Sequence, residues 1–269
     1  MANSLRELLD TGADDASAIG AEGRADLTHG GLRDFAAKVV ADLNGFGIGR
    51  NDRVAIVLPN GPEMATAFLT VACGATTAPL NPAYRADEFD FYLDDLNAKA
   101  LIVADDYDGD AVAAAEKRGI AILRLTPRTD DAAGLFDLAG PAATFAPQAG
   151  GMAAADDVAL VLHTSGTTSR PKIVPLSQAN VAASARHIRA ALDLTAVDRC
   201  LNIMPLFHIH GLIAAVLSSV AAGASVWCSP GFNALRFFTW MEAAKPNWYT
   251  AVPTMHQAIL SRAERNRDV

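Results

Sequence analysis

Cysteine is scarce in this chain of 269 residues: three are present, Cys73, Cys200 and Cys228, widely spaced and with no Cys-x-x-Cys pair. An odd, scattered set argues against a disulfide framework or a thiolate zinc site and predicts reduced, buried thiols in a cytoplasmic setting. Basic charge is short as well, with 22 Lys+Arg against 30 Asp+Glu for a net charge of −8. A nucleic-acid binder or a protein docking on an anionic membrane would carry a basic excess, so neither partner is expected. Charged residues of both signs make up only 19% and hydrophobic residues 51%, which excludes a disordered chain. The opening MANSLRELLD has no apolar stretch leading to a small-residue cleavage site, so no signal peptide is expected. The charge-free stretch Gly211–Cys228 is broken by Ser218, Ser219, Gly223 and Ser225. It reads as a helix to Ala222 and a strand from Ala224, not as a membrane span.

What the chain does contain is apolar material for a sizeable core in one large or two modest domains. Leu32, Phe35, Ala36, Val39, Val40 and Leu43 recur at helical spacing over about Gly31–Asn44, with Thr28 as a cap and Gly45 and Gly47 as the stop. Arg53–Leu58 (RVAIVL) is a buried strand, Pro59-Asn60-Gly61-Pro62 a turn, and Pro62 opens a helix to about Cys73. Strands at Thr77–Leu80, Ala100–Val103 and Ile120–Leu125 then alternate with helices at Asp87–Leu96 and Gly109–Arg118. From about 139 to 157, Ala, Gly, Pro and polar residues predict an exposed connection. Beyond it, strands at Val158–Leu162, Cys200–Ile203, Ser225–Cys228 and Trp248–Val252 alternate with helices at Ser177–Leu192, after Gly211, at Leu235–Ala244 and from Pro253. There is no internal repeat. The expected fold is α/β, with parallel βα-type sheets covered by helices.

Directly after the strand Val158–Leu162 comes His163-Thr164-Ser165-Gly166-Thr167-Thr168-Ser169-Arg170-Pro171-Lys172. Hydroxyls and successive backbone N–H groups suit a polyphosphate, Gly166 lets backbone approach it, and Lys172 neutralises charge. A hydroxyl-rich turn with a solvated Lys172 fits the composition equally well. A Walker P-loop does not: Gly-Lys-Ser/Thr is missing, and Lys172 runs into the strand-like Ile173-Val174-Pro175 where a Walker loop opens a helix. That weighs against a P-loop NTPase.

HTSGTTSRPK resembles the signature phosphate loop of AMP-forming adenylating enzymes, the superfamily of acyl-CoA synthetases, luciferases and peptide-synthetase adenylation domains. The resemblance extends through LTHGGLRDFAAKVVADLNGFGIGRNDRVAIVLPNGPEM and APLNPAYRADEFDFYLDDLNAKALIV, and so over nearly the whole chain. It departs at Ser169, where glycine is commonest, and at Ile173, where Gly usually follows the lysine. The first departure is similar to the branch of oxalate–CoA ligases. By this resemblance Thr164, Ser165, Gly166, Thr167, Thr168 and Lys172 would hold the phosphates of ATP.

Two further segments carry candidate residues. In Met204-Pro205-Leu206-Phe207-His208-Ile209-His210-Gly211, two histidines at a strand-to-helix switch could be a metal pair, a base or packing; further ligands do not cluster nearby, so no metal site is expected. This resembles the family's P-x-F-H-x-x-G segment, which makes His208 a gate and catalytic residue beside the acyl pocket, with His210 and Gly211 at its border. For His210, a core histidine with a satisfied ring remains an equal reading. In NWYTAVPTMHQ, similar again to the oxalate–CoA ligase branch, Thr254, His256 and Gln257 are pocket candidates, with capping and packing as the plainer alternative. The resemblance implies ATP, Mg²⁺ and coenzyme A as cofactors or substrates and a small carboxylic acid, oxalate favoured, as partner. A fatty-acid or short-chain ligase, and a non-catalytic ATP- or pyrophosphate-binding module, are the alternatives, and homo-oligomerisation is left open. Residues 1–269 lack the family's aromatic-Gly-x-Thr-Glu segment and its lysine-bearing C-terminal domain. The chain is therefore expected to be the N-terminal portion of the adenylation domain of a larger ligase, and to make little acyl-CoA alone.

Overall fold

Runs such as VAIV and ALIV offer no polar face to water, and they form the parallel interior of a sheet with both sides covered. The structure, a computed structural model, describes residues 3–164 and 171–268. Its strands are β1 Ser17–Gly20, β2 Leu27–Thr28, β3 Arg53–Val57, β4 Thr76–Pro79, β5 Ala100–Ala104, β6 Ala121–Pro127, β7 Phe136–Ala139, β8 Val158–Thr164, β9 Lys172–Ser177, β10 Arg199–Asn202, β11 Ser225–Cys228 and β12 Trp248–Thr250. The helices are α1 Leu5–Leu9, α2 His29–Gly45, α3 Pro62–Val71, α4 Ala86–Asp95, α5 Asp110–Lys117, α6 Gln178–Ala191, α7 Ser218–Ala221, α8 Phe237–Ala244 and α9 Pro253–Ala263, with a π-helical segment at His210–Leu217.

The larger sheet runs β7-β6-β5-β3-β4-β8-β9 and the smaller β12-β10-β11-β1-β2. The expected α/β fold is present, and its interior pairings are parallel. The pairings β6–β7, β8–β9 and β1–β2 are antiparallel instead. A connection as short as 165–171 cannot hold a crossover helix, so β9 has to return beside β8 in the opposite direction. The short elements α1, β1, β2 and β7 were not expected from the sequence, and the helix expected after Gly211 begins as a π-helix.

Strand alternation sorts the core. Val54 and Ile56 face one cluster with Ile19, Leu160, Cys200 and Val226, so a single core joins both sheets. Ala55 and Val57 face the opposite side, packing with Leu101, Val103, Phe89 and Leu93 beneath α4. The three cysteines are free and buried. Residues 140–157 form no helix or strand and are mostly exposed. Arg50 N donates to Ala149 O at 2.7 Å and Ala153 N to Cys73 O at 2.7 Å, stitching this segment to the body. Among the described residues, no helix is long and apolar enough to cross a membrane.

Candidate active site

The strand-like reading of Ile173 and Val174 holds: β8 and β9 form a hairpin in which Thr164 pairs Lys172 and His163 pairs Ile173. Thr164 and Lys172 are both exposed and bracket the phosphate-loop candidates. Ser165, Gly166, Thr167 and Thr168 lie outside the described residues.

Thr164, Pro171 and His163 line a cleft of about 500 Å³ whose other wall carries Phe207 and His208, with Tyr84 and Tyr92 alongside. Two sequence candidates from separate motifs, Thr164 and His208, therefore share one cleft. His208 is held there by backbone bonds made at a distance. Asn60, in the turn after β3, donates from Nδ2 to Met204 O at 2.9 Å and accepts from Leu206 N at 2.8 Å. Asn202, the last residue of β10, accepts from Met204 N at 3.2 Å. His208 itself stands exposed on the rim, yet desolvation still lowers its pKa below the usual imidazole value. Its ring is therefore neutral at neutral pH.

His210 is half-buried, with Nε2 2.7 Å from Thr250 Oγ1 at the end of β12, so one ring nitrogen is already occupied. Gly211 sits where the chain doubles back: a Cβ there would lie 2.4 Å from Pro205 O. On α9, Thr254 and Gln257 are exposed, while His256 Nδ1 lies 3.1 Å from the Tyr249 hydroxyl. Their neighbour Met255 lines a second cavity of about 260 Å³ with Asn60, Phe207 and Phe232, so Phe207 forms a wall of both spaces.

Sequence reasoning did not pick out Asn60, Tyr84, Tyr92 or His163. A signal existed for Asn60, which follows the carboxyl end of β3, where ligands of parallel sheets gather. Among the described residues no group of three or more His, Cys, Asp or Glu is placed to hold a metal ion.

Two helix-covered sheets, with a cleft lined by the end of the β8–β9 hairpin and by His208, define an α/β protein of mostly parallel sheets. The chain belongs to the AMP-binding enzyme family, which it matches over residues 9–268. It is 41% identical over 255 residues to the oxalate–CoA ligase of Arabidopsis thaliana, covering 92% of this chain and 49% of that one. With the oxalate–CoA ligase of Saccharomyces cerevisiae it shares 35% identity over 239 residues, 81% of this chain and 44% of that one. The crystal structure of ATP-bound MatB from Rhodopseudomonas palustris superposes with a TM-score of 0.79 at 27% identity, over 97% of this chain and 51% of that one. The chain is thus homologous to AMP-forming acid–CoA ligases and spans about half the length of the relatives it matches.

Proposed function

We propose that the enzyme containing these residues activates a small carboxylic acid, oxalate first among them, as an acyl-adenylate and passes it to coenzyme A. The observation that carries this reading is the shared cleft, which sets the end of the phosphate hairpin opposite His208. In the first half-reaction a carboxylate oxygen attacks the α-phosphorus of ATP and the bond to pyrophosphate breaks. The thiolate of coenzyme A then attacks the acyl carbon and AMP leaves. The first step needs alignment and charge neutralisation more than proton transfer. Thr164 and Lys172, with the loop between them, supply hydroxyl and ammonium donors to the leaving pyrophosphate. A neutral His208 can offer one N–H to the acid without locking the nucleophile in an ion pair. Oxalate is favoured because both oxalate–CoA ligases compared above align over most of the chain.

The test is coenzyme A-dependent AMP release by the intact enzyme across a panel of acids, with oxalate expected to give the highest kcat/KM. A medium-chain fatty acid outpacing oxalate would remove the substrate assignment, and release of ADP in place of AMP would remove the ligase reading. The 269 residues alone are expected to show no ATP–pyrophosphate exchange; robust exchange by them would overturn that part of the proposal.

A further inference from the structure

The outer half of the β8–β9 hairpin outruns the strand beside it. β8 pairs with β4 at Leu160 against Thr77. The hydroxyls of Thr76 and Thr77 donate to Val158 O at 2.6 Å and Ala159 O at 2.8 Å. Beyond that point β8 continues to Thr164 with β9 as its paired strand. A side chain then holds it. The His163 side chain is only 6% exposed, and its Nε2 lies 3.0 Å from Asp95 Oδ2 at the last residue of α4. Its ring stands edge-on to Tyr92 at 4.6 Å, and Tyr92 stacks on Tyr84 at 4.7 Å.

Packing alone does not account for this arrangement. A phenylalanine would fill the space against Tyr92 without needing a carboxylate. Asp95 meanwhile sits at a helix C-terminus, where negative charge opposes the helix dipole. Desolvation, working against Asp95, keeps the His163 pKa below its usual value, so the ring is neutral and Nε2–H donates to the carboxylate. The bond fixes a direction and brings little stability, because the Asp95 side chain is 40% exposed.

We propose that His163, held by Asp95, is a positioning residue for the nucleotide: it sets the end of β8 so that Thr164 and its register partner Lys172 meet the phosphates of ATP. This rests on the ligase reading above. In the intact enzyme, Asp95→Ala and His163→Phe are each expected to raise the KM and the calorimetric Kd for ATP by about tenfold, the equivalent of one hydrogen bond to a charged group. The KM for oxalate should change less than the KM for ATP. Asp95→Asn, which keeps an acceptor for Nε2–H, is expected to recover most of the ATP affinity, and the double variant to be no worse than either single. ATP affinity unchanged in Asp95→Ala would overturn the assignment, as would a parallel rise in KM for every substrate accompanied by a lower Tm. Should His163→Phe fail to fold, the Asp95→Ala and Asp95→Asn pair decides alone. A wild-type enzyme that binds no ATP would overturn the ligase reading itself, a separate outcome from wild-type binding with indifferent variants.

Discussion

His29 opens α2 fully buried, with Nε2 3.1 Å from Ala224 O and Nδ1 without a partner among the described residues. Desolvation is the largest influence on it and lowers its pKa, so the folded ring resists a proton that the unfolded chain accepts below about pH 6.5. Its share of stability is whole above that pH and declines as the pH falls toward the folded value. Asp157 acts in the same direction at lower pH. Burial alone would raise its pKa, but bonds from Ala154 N, Arg50 and Asn51 outweigh burial and hold it below 3.8. The urea midpoint is therefore expected to drop between pH 7.5 and pH 5.5, and His29→Gln should flatten that slope; an unaltered slope in the variant would clear His29. Asn60 bears on the site more directly. Asn60→Ala strands Leu206 N and leaves Met204 O with Asn202 Nδ2, 3.2 Å away, as its donor, which should cost about 1–3 kcal/mol in denaturant unfolding. It should also lower kcat/KM for the acid by freeing the segment that carries His208. His208→Ala is expected to lower the same ratio by about 10- to 100-fold, the scale of a lost hydrogen bond to a charged group; an unchanged ratio would leave His208 as rim packing only.

Helix α6 shows what local sequence controls. Ser177 Oγ accepts from Asn180 N at 3.2 Å, and Asn180 Oδ1 accepts from Ser177 N at 3.1 Å, closing a reciprocal cap. Ser177→Ala should cost about 1 kcal/mol in thermal or urea unfolding. Elements of this sort were legible in the sequence because cap, periodicity and stop lie within one segment, as Thr28 and Gly47 do for α2, although Gly45, also read as a stop, is still helical. The π-helix at 210–217 was not, because an all-apolar run looks the same whether its bonds close at i+4 or i+5. Strands of two to four residues such as β2 and β7 are too short to show a period. The site divides along the same line. Thr164, Lys172 and His208 could be named as candidates from the sequence because each belongs to a contiguous motif. Asp95 reaches His163 across 68 positions of sequence, and Asn60 reaches Leu206 across 146, so only the strand order brings them together.

One core links both sheets, and buried Gln178 fastens three helical regions across it. Its Oε1 accepts from Leu5 N at 3.0 Å and its Nε2 donates to Ala72 O at 2.6 Å. The chain is therefore expected to lose near- and far-ultraviolet circular dichroism in one coincident transition; two separated midpoints would show that the sheets melt independently. The scarce cysteines give that question a chemical readout. Burial pushes the Cys73 and Cys228 thiols up to about 12 and raises Cys200 well above its ordinary value as well. Almost no reactive thiolate exists at neutral pH while the fold is closed. Cys73 follows α3, whereas Cys200 and Cys228 lie on the paired strands β10 and β11 of the smaller sheet. The three sulfurs thus form a clock built into the chain: an alkylating reagent finds nothing to mark until part of the molecule opens, and the order in which peptides gain its mass records which part opened first.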